Sequence, residues 1–356
     1  VANLTVGYQQ LVEIAKALSQ NAQILIMDEP SAPLTQAEAE SLYAMVEKLK
    51  ASGVTIVYIS HRMKEVFRLS DRITVMRDGQ IIETMKTADT HLDYLVKLMV
   101  GRQLTETYPI RKDCVSDDVL LEVENLSGNG VHDINLQIRK GEVLGLAGLM
   151  GAGRTELAEL LFGVKPRTAG RVVLNGTEIH PRLPKAAIEC GIALVPEDRK
   201  RQGVLLEIDI KGNLSLAILK QISRFFTVNK KEEKRIAEYY QESIGIKTPT
   251  LEQKAKNLSG GNQQKVIVAK WLASEPTLVI FDEPTRGIDV GAKSEIYALV
   301  NSLVESGKAV LMISSEMEEV MGMSDRILVL RDGRIVGELE RKEFSQETIM
   351  TLASQG

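Results

Sequence analysis

The heptapeptide "ILIMDEP" at 24–30 returns as "LVIFDEP" at 278–284, and "SDRITVMRDG" at 70–79 returns as "SDRILVLRDG" at 324–333. Both pairs lie 254 positions apart, and across 59–83 against 313–337 14 of 25 positions are identical without a gap. A register held that long implies two copies of one domain, not two chance motifs. The octets "LTVGYQQL" (4–11) and "LSGGNQQK" (258–265) keep the same offset. The second copy has a long preamble, from about Leu120 to Asn257, whose counterpart falls before residue 1. The repeat therefore predicts an upstream segment on the order of a hundred residues. Residues 1–100 read as the C-terminal part of a first domain, and 119–356 as a complete second domain. Residues 101–118 read as a linker, since "YPIRKDCVSDD" (108–118) is polar, carries a proline and lacks periodicity.

The elements alternate. "QILIM" and "VTIVYIS" read as short buried strands, and "QAEAESLYAMVEKLKASG" as an amphipathic helix closed by Gly53. The second copy repeats this with "TLVIF", "KSEIYALVNSLVESG" and "AVLMISS". Alternating strands and helices predict an α/β fold with a mostly parallel sheet. Composition excludes other classes: 44% apolar and 26% charged residues suit a globular protein, and a net charge of −4 without a basic stripe argues against nucleic acid. The longest apolar run, "VLGLAGLM" (143–150), is far short of the roughly 20 residues that cross a bilayer. Cys114 and Cys190 lack metal-ligand spacing and fit a reducing cytosol.

"VLGLAGLMGAGRTELAELLFG" runs strand, glycine-rich loop, helix. Gly148, Gly153, Arg154 and Thr155 fit G-x-x-x-x-G-K-[ST], with arginine in place of lysine. Glycines let backbone N–H groups turn towards phosphate oxygens, and the helix adds its positive end. Thr155 is placed to ligate Mg²⁺. The arginine is bulkier than lysine and alters the geometry offered to phosphate. Four apolar residues precede both Asp28 and Asp282, so each carboxylate is delivered to a sheet end where it can hold Mg²⁺, directly or through water. The next residue, Glu29 or Glu283, is placed to accept a proton from the attacking water.

"LSGGNQQ", 24 residues before Asp282, resembles the signature motif of ATP-binding cassette proteins. More narrowly, "GLMGAGRTEL", "PEDRKRQG", "LSGGNQQKVIVAKWL" and "DEPTRGIDVGAK" resemble the tandem-cassette ATPases of bacterial sugar importers, as do "VEIAKAL", "ILIMDEPSAPLT" and "YISHRM" in the first copy. The resemblance spans the whole chain. It implies P-loop NTPase cassettes with an added antiparallel β part and a helical subdomain at about 205–275, which receives short helices from a membrane channel. It also implies ATP and Mg²⁺ as cofactors and integral-membrane permease subunits as partners. A periplasmic sugar-binding protein would act indirectly, and the chain would sit peripherally on the cytoplasmic face of the inner membrane.

In that family the cassettes lie head to tail, and each ATP is held between the phosphate loop of one and the signature of the other. Site one would use the upstream phosphate loop, Asp28, Glu29 and His61, faced by Ser259, Gly260, Gly261 and Gln263. Site two would use Gly148, Gly151, Ala152, Gly153, Arg154, Thr155 and Glu156 with Asp282 and Glu283, faced by Thr5 and Gly7. Site two departs from the family pattern. Arg154 replaces lysine, Glu197 stands where cassettes place a glutamine, Ser315 stands at the His61 position, Val6 replaces a signature glycine, and no aromatic precedes the phosphate loop. Site two is therefore expected to bind nucleotide and hydrolyse poorly, and the polypeptide alone to turn over little ATP. "GNLSLAILKQISRFF" is expected to form one helix with an exposed apolar edge, and "NKKEEKRIAEYYQE" a solvated helix face. Two rival classes remain: a soluble tandem cassette acting on ribosomes or DNA, and a non-catalytic remnant or nucleotide-gated scaffold.

Overall fold

A computed structural model describes residues 12–16, 22–31, 34, 36–60, 62–77, 79–100, 108–109, 111–225 and 227–354. The chain divides into two compact units, Val1–Thr105 with Asp289–Gly291, and Glu106–Ile288 with Ala292–Gly356.

In the first unit the strands Ile24–Asp28 and Thr55–Ile59 pair in parallel, with Asp28 opposite Ile59. The helix Gln36–Ala51 connects them, and Gly53 ends that connection at φ +89°, a conformation that glycine adopts without a Cβ clash. Leu42, Val46, Leu25 and Met27 form the unit's core. The strands Arg72–Arg77 and Gln80–Lys86 make an antiparallel hairpin.

In the second unit a six-stranded sheet runs in the order Ile192–Val195, Leu278–Asp282, Ala309–Ile313, Val143–Gly148, Arg326–Arg331, Arg334–Glu340. All its pairs are parallel except the last. The three central strands have every inward position covered, as expected for a parallel sheet buried on both faces. One face packs under an antiparallel sheet of Val119–Gly128, Val131–Arg139, Ala169–Leu174 and Thr177–Glu178, and the helix Arg154–Leu161 joins the same core. The other face packs against the helices Gly260–Leu272 and Val290–Glu305.

Two expectations change. The stretch around "GNLSLAILKQISRFF" is not one helix: Ile210–Ser215 is helical, Leu219–Ile222 resumes after a tighter turn, and Ser223–Arg224 pairs with Thr227–Val228 as a short hairpin. Ile210, Leu214, Ile218 and Ile222 are buried, so that apolar stripe faces the core, whereas Phe225 at the end of the stretch is exposed. The helix Lys230–Ile244 matches the charged face that was expected, capped by Asn229.

Residues 108–109 and 111–118, polar as they are, belong to the second unit. The Tyr108 ring rests 5.3 Å from that of Tyr297, and Asn301 Nδ2 donates to the Pro109 carbonyl at 2.8 Å. Arg111 pairs with Asp325, and the Cys114 thiol donates to the Gly141 carbonyl at 3.3 Å. Gly322 makes room for the tyrosine: a Cβ there would lie 2.4 Å from its ring. Lack of periodicity here reflects an irregular backbone held by side-chain contacts.

Candidate active site

The parallel topology sends Val195, Asp282, Ile313 and Gly148 to the same end of the sheet, where ligands of α/β folds bind. After Gly148 the chain turns through Gly151 (φ +79°) and Gly153 (φ +104°) into the helix Arg154–Leu161. A Cβ on Gly148 would meet the Leu330 carbonyl oxygen at 2.4 Å, and one on Gly153 the Val131 side chain at 2.9 Å, so the loop's close approach to the sheet demands glycine at both. Ala152 N donates to the Leu149 carbonyl at 3.1 Å and its own carbonyl accepts from Gly333 at 3.0 Å, which fixes the loop's shape. Glu156 lies in the first helical turn.

Asp282 is 3% exposed. Burial pushes its carboxyl up to about 6, against the pull of a hydrogen bond from Thr155 and the nearby Arg154 charge. Its Oδ1 is buried without a hydrogen-bond partner. An acidic oxygen left unsatisfied beside a threonine hydroxyl, under a glycine cradle and a helix N-terminus, is the donor set of a hard cation next to phosphate. The residues therefore fit Mg²⁺.

Glu283 follows with φ +51°, and Glu29 in the first unit has φ +46°. A non-glycine residue in this region is strained by roughly 1–3 kcal/mol, and such strain gathers at functional sites. Each is held there by the same bond: Glu283 N donates to Ile313 O at 2.9 Å, Glu29 N to Ile59 O at 2.9 Å. Burial pushes the Glu283 carboxyl up to about 7, opposed by Ser315 Oγ, which donates to its Oε2 at 3.0 Å. A carboxyl near that value is suited to exchanging a proton at neutral pH.

Arg154 does not reach freely into the cradle: its Nη1 donates to the Ser314 carbonyl at 2.7 Å, tying the phosphate loop to the end of the neighbouring strand. Glu197 emerges beyond the strand Ile192–Val195 and is paired with Arg286. Ser259 caps the helix Gly260–Leu272, accepting from Asn262 N at 3.4 Å. Gln263 is buried, donating to Ala255 O at 3.2 Å, and Gly261 is buried beside it, which makes Gln263 a brace of the signature turn. Arg199 donates to the carbonyls of Gly260 at 3.3 Å and Gly287 at 3.2 Å, linking the segment after Glu197 to the signature helix. Within the second unit the structure thus brings together the phosphate loop, Thr155, Asp282, Glu283 and Ser315. In the first unit Asp28 and Glu29 stand at the end of their strand. Thr5, Gly7 and His61 lie outside the described residues.

Sequence reasoning missed one pair. Glu65 and Glu319, again 254 apart, are 2% and 1% exposed. Neither stands in a motif that marks it from sequence. The signal that could have found them was the shared "EV" at the same offset in both copies.

A glycine cradle at the carboxyl end of a parallel sheet, with an Asp-Glu pair on the next strand but one and a signature helix beyond, defines an ATP-binding cassette. The family described as "ABC transporter" matches residues 131–286. A nucleotide-free ATP-binding cassette from an ABC transporter shares the fold at TM-score 0.56 and 22% identity, over 67% of this chain and 96% of that one. The cbiO1 cassette from Clostridium perfringens does so at TM-score 0.55 and 24% identity, over 66% of this chain and 93% of that one. Among curated proteins, the ribose import ATP-binding protein RbsA of Clostridium perfringens (strain 13) is 51% identical over 355 residues, 99% of this chain and 71% of that protein. The xylose import ATP-binding protein XylG of Moorella thermoacetica is 50% identical over 365 residues, 100% of this chain and 72% of that protein. This chain belongs to their family, the ATP-binding proteins of sugar-importing ABC transporters, which are ATPases coupled to transport.

Proposed function

We propose that the chain powers the import of a monosaccharide or related small sugar, working on the cytoplasmic face of the membrane against permease subunits that a periplasmic sugar-binding protein loads. The observation that carries the nucleotide reading is the buried Thr155–Asp282 pair, with the unpartnered Asp282 Oδ1 beneath the glycine loop. Thr155 and Asp282 would hold Mg²⁺, and Asp28 would do the same for the first copy. When bound, the ion supplies positive charge that neutralises the phosphate oxygens. The chain's own groups do the rest. Backbone N–H groups of 148–155 orient the phosphates, and Glu29 or Glu283 takes a proton from water.

The two sites divide the labour. Site one, with Glu29 and His61, hydrolyses. Site two holds nucleotide, because Arg154 is engaged with Ser314, Glu283 is held by Ser315, and Glu197 is engaged with Arg286. Exposed Leu205 and Phe225 on the helical subdomain offer apolar contact to the permease. Among the described residues no helix is long and apolar enough to cross a membrane.

The test is equilibrium binding of a fluorescent ATP analogue. Mg²⁺-dependent binding weakened at least tenfold by Thr155→Ala or Asp282→Asn supports the reading; unaltered binding in both variants overturns it.

A further inference from the structure

At one matching position, 254 apart, both copies of the repeat bury a carboxylate that the proposed chemistry does not use. Glu65 lies in the first turn of the helix Met63–Leu69, and Glu319 in the first turn of Met317–Met323, each directly after a strand whose end faces the Asp-Glu pair. Glu65 Oε1 accepts from Ser31 Oγ at 2.6 Å and Tyr43 OH at 2.9 Å; its Oε2 accepts from Tyr58 OH at 3.0 Å and Ser60 Oγ at 3.1 Å. Glu319 Oε1 accepts from Thr285 Oγ1 at 2.7 Å, and the Ser314 hydroxyl bonds the same carboxyl. Ser31 and Thr285 are each two residues beyond the Glu of the pair, and Ser60 and Ser314 each follow the neighbouring strand. In both units a single carboxylate therefore staples the turn after the catalytic glutamate to the turn after the next strand.

Those turns carry the reactive groups. In the second unit Ser314 is the residue whose carbonyl anchors Arg154, and Ser315 is the residue whose hydroxyl holds Glu283. Burying a carboxylate costs several kcal/mol unless its oxygens are satisfied. A purely structural joint at this place could be apolar, yet both copies spend two or more hydroxyl donors on it. Catalytic geometry is sensitive at this scale: a displacement of about 1 Å can cost on the order of 10²-fold.

We propose that Glu65 and Glu319 are positioning residues for phosphoryl transfer, each fixing the catalytic glutamate's turn against the turn that meets the γ-phosphate. The inference rests on the ATPase reading above. It is tested on the chain in its assembled transporter, with kcat, KM and equilibrium MgATP binding measured for Glu65→Ala, Glu65→Gln and Ser31→Ala, and the matching Glu319 and Thr285 variants. Glu65→Ala is expected to lower kcat 10- to 100-fold per bound ATP, with KM and binding moved less than threefold. Glu65→Gln keeps the length and one acceptor, and should recover part of the loss. Ser31→Ala, which removes a single donor and folds more readily, should lower kcat 3- to 10-fold. Glu319→Ala should instead weaken nucleotide retention at the Arg154 loop, read as a faster off-rate of the fluorescent analogue.

A loss of kcat in strict proportion to the loss of bound ATP is the signature of fewer folded molecules and overturns the proposal, as does an unchanged kcat in Glu65→Ala. If Glu65→Ala does not fold, Ser31→Ala and Glu65→Gln decide, and unchanged kcat in both overturns it. A wild-type complex that binds no MgATP overturns the ATPase reading and this inference with it. A wild type that binds and hydrolyses, with indifferent variants, overturns the inference alone.

Discussion

Ile24, Ile26, Val57 and Ile59 are exposed in the first unit, whereas their counterparts Leu278, Ile280, Leu311 and Ile313 are among the most buried residues of the second. The strands share a sequence pattern and a parallel register. The difference is the layer above them: in the second unit, residues between Leu120 and Leu194, including the helix Arg154–Leu161, cover that face. The carboxylates follow suit, Asp28 being exposed and Asp282 buried. In the second unit burial also raises the Asp282 carboxyl, so the glycine cradle and the buried aspartate come together in one packed core.

The buried glutamates differ too. Burial pushes the Glu65 carboxyl up, but hydroxyls from Ser31, Tyr43, Tyr58 and Ser60 pull it below its ordinary value. At Glu319 burial prevails over Ser314 and Thr285, because Met312 replaces Tyr58 and offers no donor. Beside them, Tyr43 is covered by the Arg68 guanidinium at 5.0 Å, whereas Tyr297 is covered by the Tyr108 ring. Gly322 occupies the Arg68 position, and the segment that follows the first copy fills the notch.

The largest expected effect would expose unequal sites. In the assembled transporter Glu29→Gln should lower steady-state phosphate release by about 10²–10⁴-fold, the usual loss of a positioned base, and Glu283→Gln by less than tenfold. Equal losses would break the division of labour. Next, Gly322→Ala drives a Cβ into the Tyr108 ring and should cost about 1–3 kcal/mol, the usual overpacking penalty, seen as a lower urea midpoint with unchanged slope. Arg68→Ala removes an exposed cation–aromatic contact and the ion pairs to Glu40 and Glu47, and should lower the urea midpoint less than Gly322→Ala does.

A third test uses pH. Asp282 and Glu283, at about 6 and about 7, bind protons in the native state that the unfolded chain has already released at its ordinary values of 3.8 and 4.5. Their contribution to stability is whole below about pH 4 and is lost as pH rises through about 7. The Tm of metal-free, nucleotide-free protein should fall from pH 5 to pH 8, and Glu283→Gln should flatten the upper part of that fall. A wild type and variant with parallel profiles would show that the carboxyl is not raised.

The sequence by itself determined the repeat, the alternation of strands and helices, the glycine loop and the two Asp-Glu pairs. Each rests on local chemistry: apolar runs, backbone angles that only glycine tolerates, residue types at fixed spacing. It misread "GNLSLAILKQISRFF", where a buried stripe at helical spacing continued through a break that propensity does not mark. Tertiary structure alone decided where Arg154 points, which face of each sheet is covered, how 108–118 is tied down, and that Glu65 and Glu319 are buried clamps. Those outcomes depend on donors and acceptors far apart along the chain, such as Arg154 with Ser314 or Ser31 with Glu65, and a charge in a sequence carries no mark of the partners that folding will bring to it.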